Sequence, residues 1–360
     1  MRVLIATDAW RPQVNGVVRT YERLADEAEV LGVEIVFLTP AEFRTLPCPT
    51  YPEIRLALPG YGYVVRKLNQ VQPDAVHIAT EGPIGWMTRS YCKKRGIPFT
   101  TSFHTRFPEY LSGRFGVPVT WAYAVQRRFH NAGAGMMVAS RSLARELEAR
   151  GFERTMPWTR GVDTDLFRPR DVRAFGDQKP VLLYVGRLAV EKNIEAFLKL
   201  DIDGQKVVVG VGPMFEVLKA RYPDVIFTGK LVADALAEAY ASADVFVFPS
   251  LTDTFGIVLI EALASGVPVA AFPVTGPVDN IKQGVTGVLD CDLRAAVLGA
   301  LELNRSTVRA YALSFSWENA VRLFLSNIQT ALFSQQGRRV PARLAQVLRK
   351  TGRRHLPDLA

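Results

Sequence analysis

The pattern that most limits what this chain can become is an alternation of two periods. Short apolar runs rich in β-branched residues (Val3–Ile5, Glu34–Leu38, Ala75–Ile78, Phe99–Ser102, Met136–Val138) are separated by stretches of helical spacing (Val17–Leu31, Ile84–Arg95, Val119–Asn131, Ser142–Arg150). Strands that are apolar on both sides have no face to give to water, so the alternation requires a parallel sheet covered on both faces. The pattern pauses over 160–179, which is rich in Arg, Asp, Pro and Gly, and then begins again. Strands are predicted at Val181–Val185, Lys206–Val209, Val225–Thr228, Val245–Phe248 and Val269–Phe272, with helices at Glu191–Leu200, Phe215–Arg221, Asp234–Ala241 and Gly256–Ala264. Two doubly wound α/β units joined by a linker follow. A length of 360 residues, about twice that of one domain, agrees. Ligands of such sheets bind beyond the carboxyl ends of the strands, so two sheets facing each other would place a site in the cleft between them.

Three strand-to-helix junctions carry candidate chemistry. The first, Asp8 to Val17, ends in Asn15-Gly16 just before a helix, where a glycine lets backbone N–H groups approach an anion; a plain turn with an Asn cap explains the same residues. The second runs Gly186-Arg187-Leu188-Ala189-Val190-Glu191-Lys192-Asn193. Two cations at a helix entry oppose the macrodipole, and a diphosphate would offset that cost, with Arg187 as a fork and Lys192 as a point charge. The competing explanation is an Arg187–Glu191 surface pair. The third junction, Phe248 to Gly266, holds Asp253, Phe255, Gly256, Ile257 and Glu261. Glu261 follows Asp253 by eight residues, roughly 12 Å along a helix, a span suited to one carboxylate on a sugar and another on a ribose. An acid in so apolar a helix must be satisfied, by a ligand or by a neighbouring helix.

Asp253-x7-Glu261 with Phe255-Gly256, the Gly186-Arg187-x4-Lys192 segment and Gly161-Val162-Asp163-Thr164-Asp165-Leu166-Phe167 together resemble the family-4 retaining glycosyltransferases of the GT-B fold, over nearly the whole chain from Met1 to about Leu332. Asp253 stands where the first Glu of the family's E-x7-E usually does. The resemblance implies an α/β GT-B architecture: a Rossmann-like acceptor-side domain at 1–165, a linker at 166–179 and a Rossmann-like nucleotide-sugar domain at 180–316. A helix at 317–333 would return to the first domain, and a basic tail would follow at 334–360. It implies that Asn15 and Gly16 lie near the donor diphosphate and that Arg187 and Lys192 neutralise it. Asp253, Phe255, Gly256 and Ile257 would hold the hexose, and Glu261 the ribose. Phe103-His104-Thr105 resembles the segment whose His contacts the donor sugar. The leaving phosphate would accept the incoming hydroxyl's proton, so no nucleophile-and-base pair is expected, unlike the paired carboxylates of a glycosidase. Catalysis would rest on charge neutralisation and orientation. No cofactor and no metal are expected. Asp163-Thr164-Asp165 is a D-x-D in the linker and reads as structural; Gly210-Val211-Gly212 lacks the third glycine of a dinucleotide fingerprint and reads as a turn.

Lys and Arg (44) exceed Asp and Glu (35) by 9. Seven of those cations, Arg338, Arg339, Arg343, Arg349, Lys350, Arg353 and Arg354, lie in the last 27 residues against Asp358 alone, leaving +6 in the tail and +3 elsewhere. Val340, Leu344, Val347 and Leu348 add an apolar stripe there. The expected partner is therefore an anionic membrane surface, reached by the tail and by a first-domain patch of Trp121, Tyr123, Arg127 and Arg128, although a solvated tail fits the same composition. Nucleic acid is disfavoured, because no helix-turn-helix, zinc-finger or RNP pattern is present. Cys48, Cys92 and Cys291 form no metal or disulfide spacing and suit a reducing compartment. The N-terminal apolar run is too short for a signal peptide, and no stretch is long enough to span a bilayer. A cytoplasmic protein, peripheral on the inner face of the plasma membrane, is expected. Phe103–Tyr110, Gln13–Val17 and Arg160–Thr164 resemble the branch with lipid glycosyltransferases and GDP-mannose-dependent mannosyltransferases. The leading expectation is transfer of a hexose from a UDP- or GDP-linked sugar to a membrane lipid, with diacylglycerol first. The alternatives are a GDP-mannose-dependent α-mannosyltransferase acting on a glycan or lipid-linked glycan, a nucleotide-sugar epimerase and, from another class, a basic nucleic-acid-binding protein.

Overall fold

The computed structural model describes residues 1–11, 16–48, 51–58, 60–104, 106–108, 112, 116–177, 179–251, 253 and 255–334. Asn15 and the tail from 335 onward lie outside them. The chain divides into two units, one formed by Met1–Arg160 with the C-terminal helix Trp317–Gln329, the other by Gly161–Ser316.

The first unit carries strands β1 (Arg2–Ala6), β2 (Glu34–Leu38), β3 (Thr45–Cys48), β4 (Tyr51–Ala57), β5 (Ala75–Ile78), β6 (Phe99–Phe103), β7 (Gly135–Val138) and β8 (Thr155–Pro157), with helices α1 (Gly16–Val30), α2 (Tyr61–Val71), α3 (Pro83–Arg95), α4 (Val119–His130) and α5 (Arg141–Ala149). Six strands pair in the order β2-β1-β5-β6-β7-β8, all parallel. Successive side chains of β1 go to opposite faces. Val3 and Ile5 pack with Tyr21 and Leu24 of α1 and with Phe324, Leu325 and Ile328 of the C-terminal helix. Leu4 and Ala6 pack with Val64, Leu68, Ile84 and Phe129 on the other face. The three C-terminal-helix side chains are fully buried, each contributing ~1.5–3 kcal/mol, and the Trp158 indole N–H donates to Ala320 O at 3.0 Å. That anchoring holds the last helix on the first unit's sheet. The β3–β4 hairpin and α2 have no counterpart among the sequence expectations. Pro47 breaks the strand pattern that would have marked the hairpin.

The second unit carries β9 (Val181–Val185), β10 (Gln205–Val209), β11 (Ile226–Gly229), β12 (Val245–Phe248), β13 (Val269–Ala271) and β14 (Gly287–Leu289), with α6 (Ile194–Leu198), α7 (Phe215–Arg221), α8 (Ala233–Ala241), α9 (Ile257–Ala264), α10 (Pro277–Asn280), α11 (Leu293–Leu301) and α12 (Arg305–Ala312). Its six parallel strands run β11-β10-β9-β12-β13-β14. The helix expected at Glu191–Leu200 is shorter: Val190–Lys192 form a 3-10 turn and α6 begins only at Ile194. Asn193 between them is left-handed (φ 50°), which Asn tolerates, and its Nδ2 donates to Pro249 O at 3.1 Å. The D-x-D aspartate Asp163 accepts the amides of Asp165 and Leu166, closing a turn, and Arg309 donates to Thr164 O and Phe167 O, fastening that segment to α12.

Candidate active site

In an open parallel sheet a ligand crevice forms where the strand order reverses. In the second unit the reversal lies between β9, whose chain continues outward to β10, and β12, which leads the other way to β13. The loops leaving these two strands hold the residues singled out from sequence. After β9, Gly186 leads to an exposed Arg187, whose carbonyl accepts the buried Tyr184 hydroxyl at 2.9 Å. Burial, then Glu191 and Asp253, push the Tyr184 pKa up, so it stays a donor. No Arg187–Glu191 ion pair is found among the described residues. After β12, Asp253 accepts the Phe255 amide at 3.3 Å and the Lys192 ammonium at 2.9 Å. That ion pair bridges the two loops with both side chains mostly sheltered, 29% and 17% exposed.

Gly256 opens α9 in the left-handed conformation (φ 77°), with no side-chain cap and no acid in the first turn. An apolar helix thus presents its N-terminus with nothing from its own first turn to neutralise the dipole. Since α9 starts at Ile257, only half of the Asp253-to-Glu261 separation is helical, and the 12 Å helical span does not apply. Glu261 is held from a neighbouring helix: Tyr240 of α8 donates to its Oε2 at 2.9 Å. Burial and Glu261 raise the Tyr240 pKa far up, which keeps that proton on the phenol.

In the first unit the order reverses between β1 and β5. Asp8, two residues beyond β1, accepts Ile84 N at 2.8 Å, Gly85 N at 3.2 Å and the Thr80 hydroxyl at 3.0 Å, capping α3. Burial raises its pKa to about 6, although those hydrogen bonds pull the other way. Gly16 begins α1; no described atom lies within 4 Å of where a Cβ would stand, so the protein's own packing does not demand a glycine there. His104 follows β6 directly. Arg160 donates to its Nδ1 at 3.0 Å, and because a guanidinium only donates, Nε2 carries the proton and donates to Tyr21 Oη at 2.9 Å. Tyr21 in turn reaches Ser102 and the buried His77. Burial first, then Arg160, hold the His104 pKa well below its usual value, so the ring is neutral. With both nitrogens engaged, only its main chain and ring edge remain for a substrate.

The sequence profile described as "Glycosyltransferase Family 4" matches residues 14–166, and the one described as "Glycosyl transferases group 1" matches 179–302. The GDP-mannose-dependent alpha-mannosyltransferase of Mycobacterium tuberculosis is 32% identical over 80% of this chain and 83% of its own. The chain is a family-4 glycosyltransferase. This glycosyltransferase is also 26% identical to the alpha-monoglucosyldiacylglycerol synthase of Streptococcus pneumoniae, over 89% of this chain and 83% of that one. Its fold matches sucrose-phosphate synthase from Thermosynechococcus elongatus with a TM-score of 0.72 at 20% identity, covering 93% of this chain and all of that one. It is a hexosyltransferase of the GT-B fold, with two Rossmann-like domains.

Of the residues singled out from its sequence, the second unit brings Lys192 and Asp253 into contact and sets Phe255, Gly256 and Ile257 at the start of α9; Glu261 lies one turn further. Sequence reasoning missed Tyr240, Asp8 and Arg160. Asp8 had a signal in the two glycines of Gly82-Pro83-Ile84-Gly85, since a Cβ at Gly82 would press into its carboxyl group. Tyr240 had none, because a tyrosine in an apolar helix reads as core. Among the described residues no helix is long and apolar enough to cross a membrane.

Proposed function

We propose that this hexosyltransferase moves a hexose, with retention and without a metal, from a UDP- or GDP-linked sugar to a membrane lipid, diacylglycerol. The observation that supports this most is the Lys192–Asp253 pair spanning the two switch-point loops beside the uncapped start of α9. A diphosphate suits that place: Arg187 has a guanidinium to give and Lys192 a charge, and the α9 amides favour an anion. Asp253, fixed by Lys192 and by the Phe255 amide, is oriented to accept hexose hydroxyls with the backbone of Phe255, Gly256 and Ile257. Glu261, fixed by Tyr240, takes the ribose. Gly16 and His104 of the first unit keep the roles that the resemblance implies, as does Asn15, which lies outside the described residues. In the reaction the bond from the anomeric carbon to the phosphate oxygen breaks as the bond to the acceptor oxygen forms on the same face. The departing phosphate takes the hydroxyl proton, and the paired cations stabilise the charge that develops on it.

The acceptor class is supported by the diacylglycerol in the name of the streptococcal relative and by the basic tail. The mannosyltransferase relative favours a second reading of the same site, with GDP-mannose as donor and a glycan as acceptor. Incubating the purified protein with diacylglycerol vesicles together with a soluble mannose oligosaccharide, and with labelled UDP-glucose, UDP-glucuronate or GDP-mannose, tests both. Label in extracted lipid from a UDP-sugar is expected. Label from GDP-mannose in a glycan fraction alone selects the second reading, and no transfer from any donor overturns both. Lys192→Ala should lower kcat/KM about 100-fold, the scale of one lost stabilising charge.

A further inference from the structure

Arg160 is a buried arginine with no counterion among the described residues. Only 6% of its surface is exposed, yet no carboxylate lies within ion-pair reach of it among the described residues. Its partners are neutral: the Trp158 carbonyl at 2.9 Å, His104 Nδ1 at 3.0 Å, and the Trp158 ring, 4.4 Å from the guanidinium carbon. Two of its five N–H donors are used, and the Nε–H has no acceptor among the described residues. Cation–π attraction recovers less than the desolvation of a guanidinium costs, and buried charges are ordinarily paired. The place is also telling. His104 directly follows β6, and Arg160 stands three residues beyond the end of β8, so both lie at the carboxyl edge of the first unit's sheet, where ligands of open α/β sheets bind. His104, kept neutral, cannot supply the missing negative charge, and Tyr21 behind it is a phenol in an apolar core.

We infer that Arg160 is an oxyanion-binding residue of the first unit, taking a phosphoryl group of the nucleotide donor or an acidic lipid head group, with Trp158 and His104 fixing the fork of its guanidinium. This goes beyond the donor site assigned to the second unit, and the test separates the two. In full-length protein carrying Arg187→Ala and Lys192→Ala, which removes the second unit's candidate phosphate cations, inorganic pyrophosphate is titrated by calorimetry. Binding should persist and weaken by about tenfold or more when Arg160→Gln is added, the scale of one lost charge-assisted pair. Equal affinity with and without Arg160→Gln overturns the inference. Should Arg160→Gln fail to fold, the ¹⁵N resonances of the His104 ring in the Arg187→Ala, Lys192→Ala protein decide. They should move on adding pyrophosphate, and their constancy overturns the inference. Displacement of pyrophosphate by UDP assigns the anion to the donor, displacement by phosphatidylglycerol vesicles assigns it to a lipid head group, and displacement by neither overturns it.

Discussion

Asp8 shows how one side chain ties two loops and sets a pH dependence. Its carboxylate holds the β1 exit against the first amides of α3, and the glycine at 82, where a Cβ would press into that carboxyl group, lets the helix come that close. Burial dominates and raises the pKa from 3.8 to about 6. Between those values the folded state binds more protons than the unfolded state, so the stability this group contributes is full below pH 4 and is lost as pH rises through 6. At 1.36 kcal/mol per unit the loss is about 3 kcal/mol. The difference in unfolding free energy between wild type and Asp8→Asn, measured by urea titration, should therefore fall by about that much from pH 4 to pH 7. A difference that stays flat over the range would show that Asp8 ionises as freely in the folded chain as in the unfolded one.

At the scale of elements, the second unit's Arg187 loop rests on a neighbouring turn. Gly210-Val211-Gly212 follows β10, and its backbone runs beneath Gly186–Leu188: Gly186 N donates to Val209 O at 3.0 Å and Leu188 N to Val211 O at 3.1 Å. A Cβ at Gly210 would press into the Gly186 carbonyl, and φ at that residue is 138°. The glycines that resemble part of a nucleotide fingerprint serve to seat the Arg187 loop. Gly210→Ala should destabilise the protein by about 1–3 kcal/mol and also raise the donor KM, because it shifts the loop that presents Arg187; unchanged donor kinetics in a folded variant would separate loop from turn. Five of the six strands in each sheet were legible as continuous apolar runs and most of the helices as runs of period 3.6, while the short edge strands β8 and β14 were not. The Lys192–Asp253 pair was not, because its members are 61 residues apart and only the adjacency of β9 and β12 unites them. The same holds for Tyr240 with Glu261, and for His104, Tyr21 and Arg160, drawn from three distant segments. The order in which parallel strands pair is decided by long-range packing, which local periodicity does not record.

For the whole molecule, charge is unevenly shared. Of the chain's +9, the last 27 residues carry +6, the rest of the first unit (1–160 and 317–333) carries +7, and the second unit (161–316) carries −4. Each basic residue near an anionic bilayer contributes about 1 kcal/mol, and the attraction decays within a Debye length of about 10 Å at 0.1 M salt. A tail that binds a bilayer in this way should do so steeply with lipid charge, whereas a catalytic unit meeting its acceptor through apolar contacts would not. Deleting residues 335–360 should therefore lower affinity for vesicles containing 30 mol% phosphatidylglycerol by about 100-fold or more at 0.1 M salt, and by much less at 1 M, where screening already weakens the full-length protein. Neutral phosphatidylcholine vesicles should bind both proteins equally weakly. Turnover of a short-chain diacylglycerol presented in detergent should be the same for both, because the deletion touches no residue assigned to the donor. Sedimentation with vesicles and initial rates in detergent measure the two arms separately. Equal sedimentation of the two proteins with anionic vesicles would move the membrane contact off the tail and onto the first unit, where Trp121, 74% exposed on α4, is the side chain to replace next.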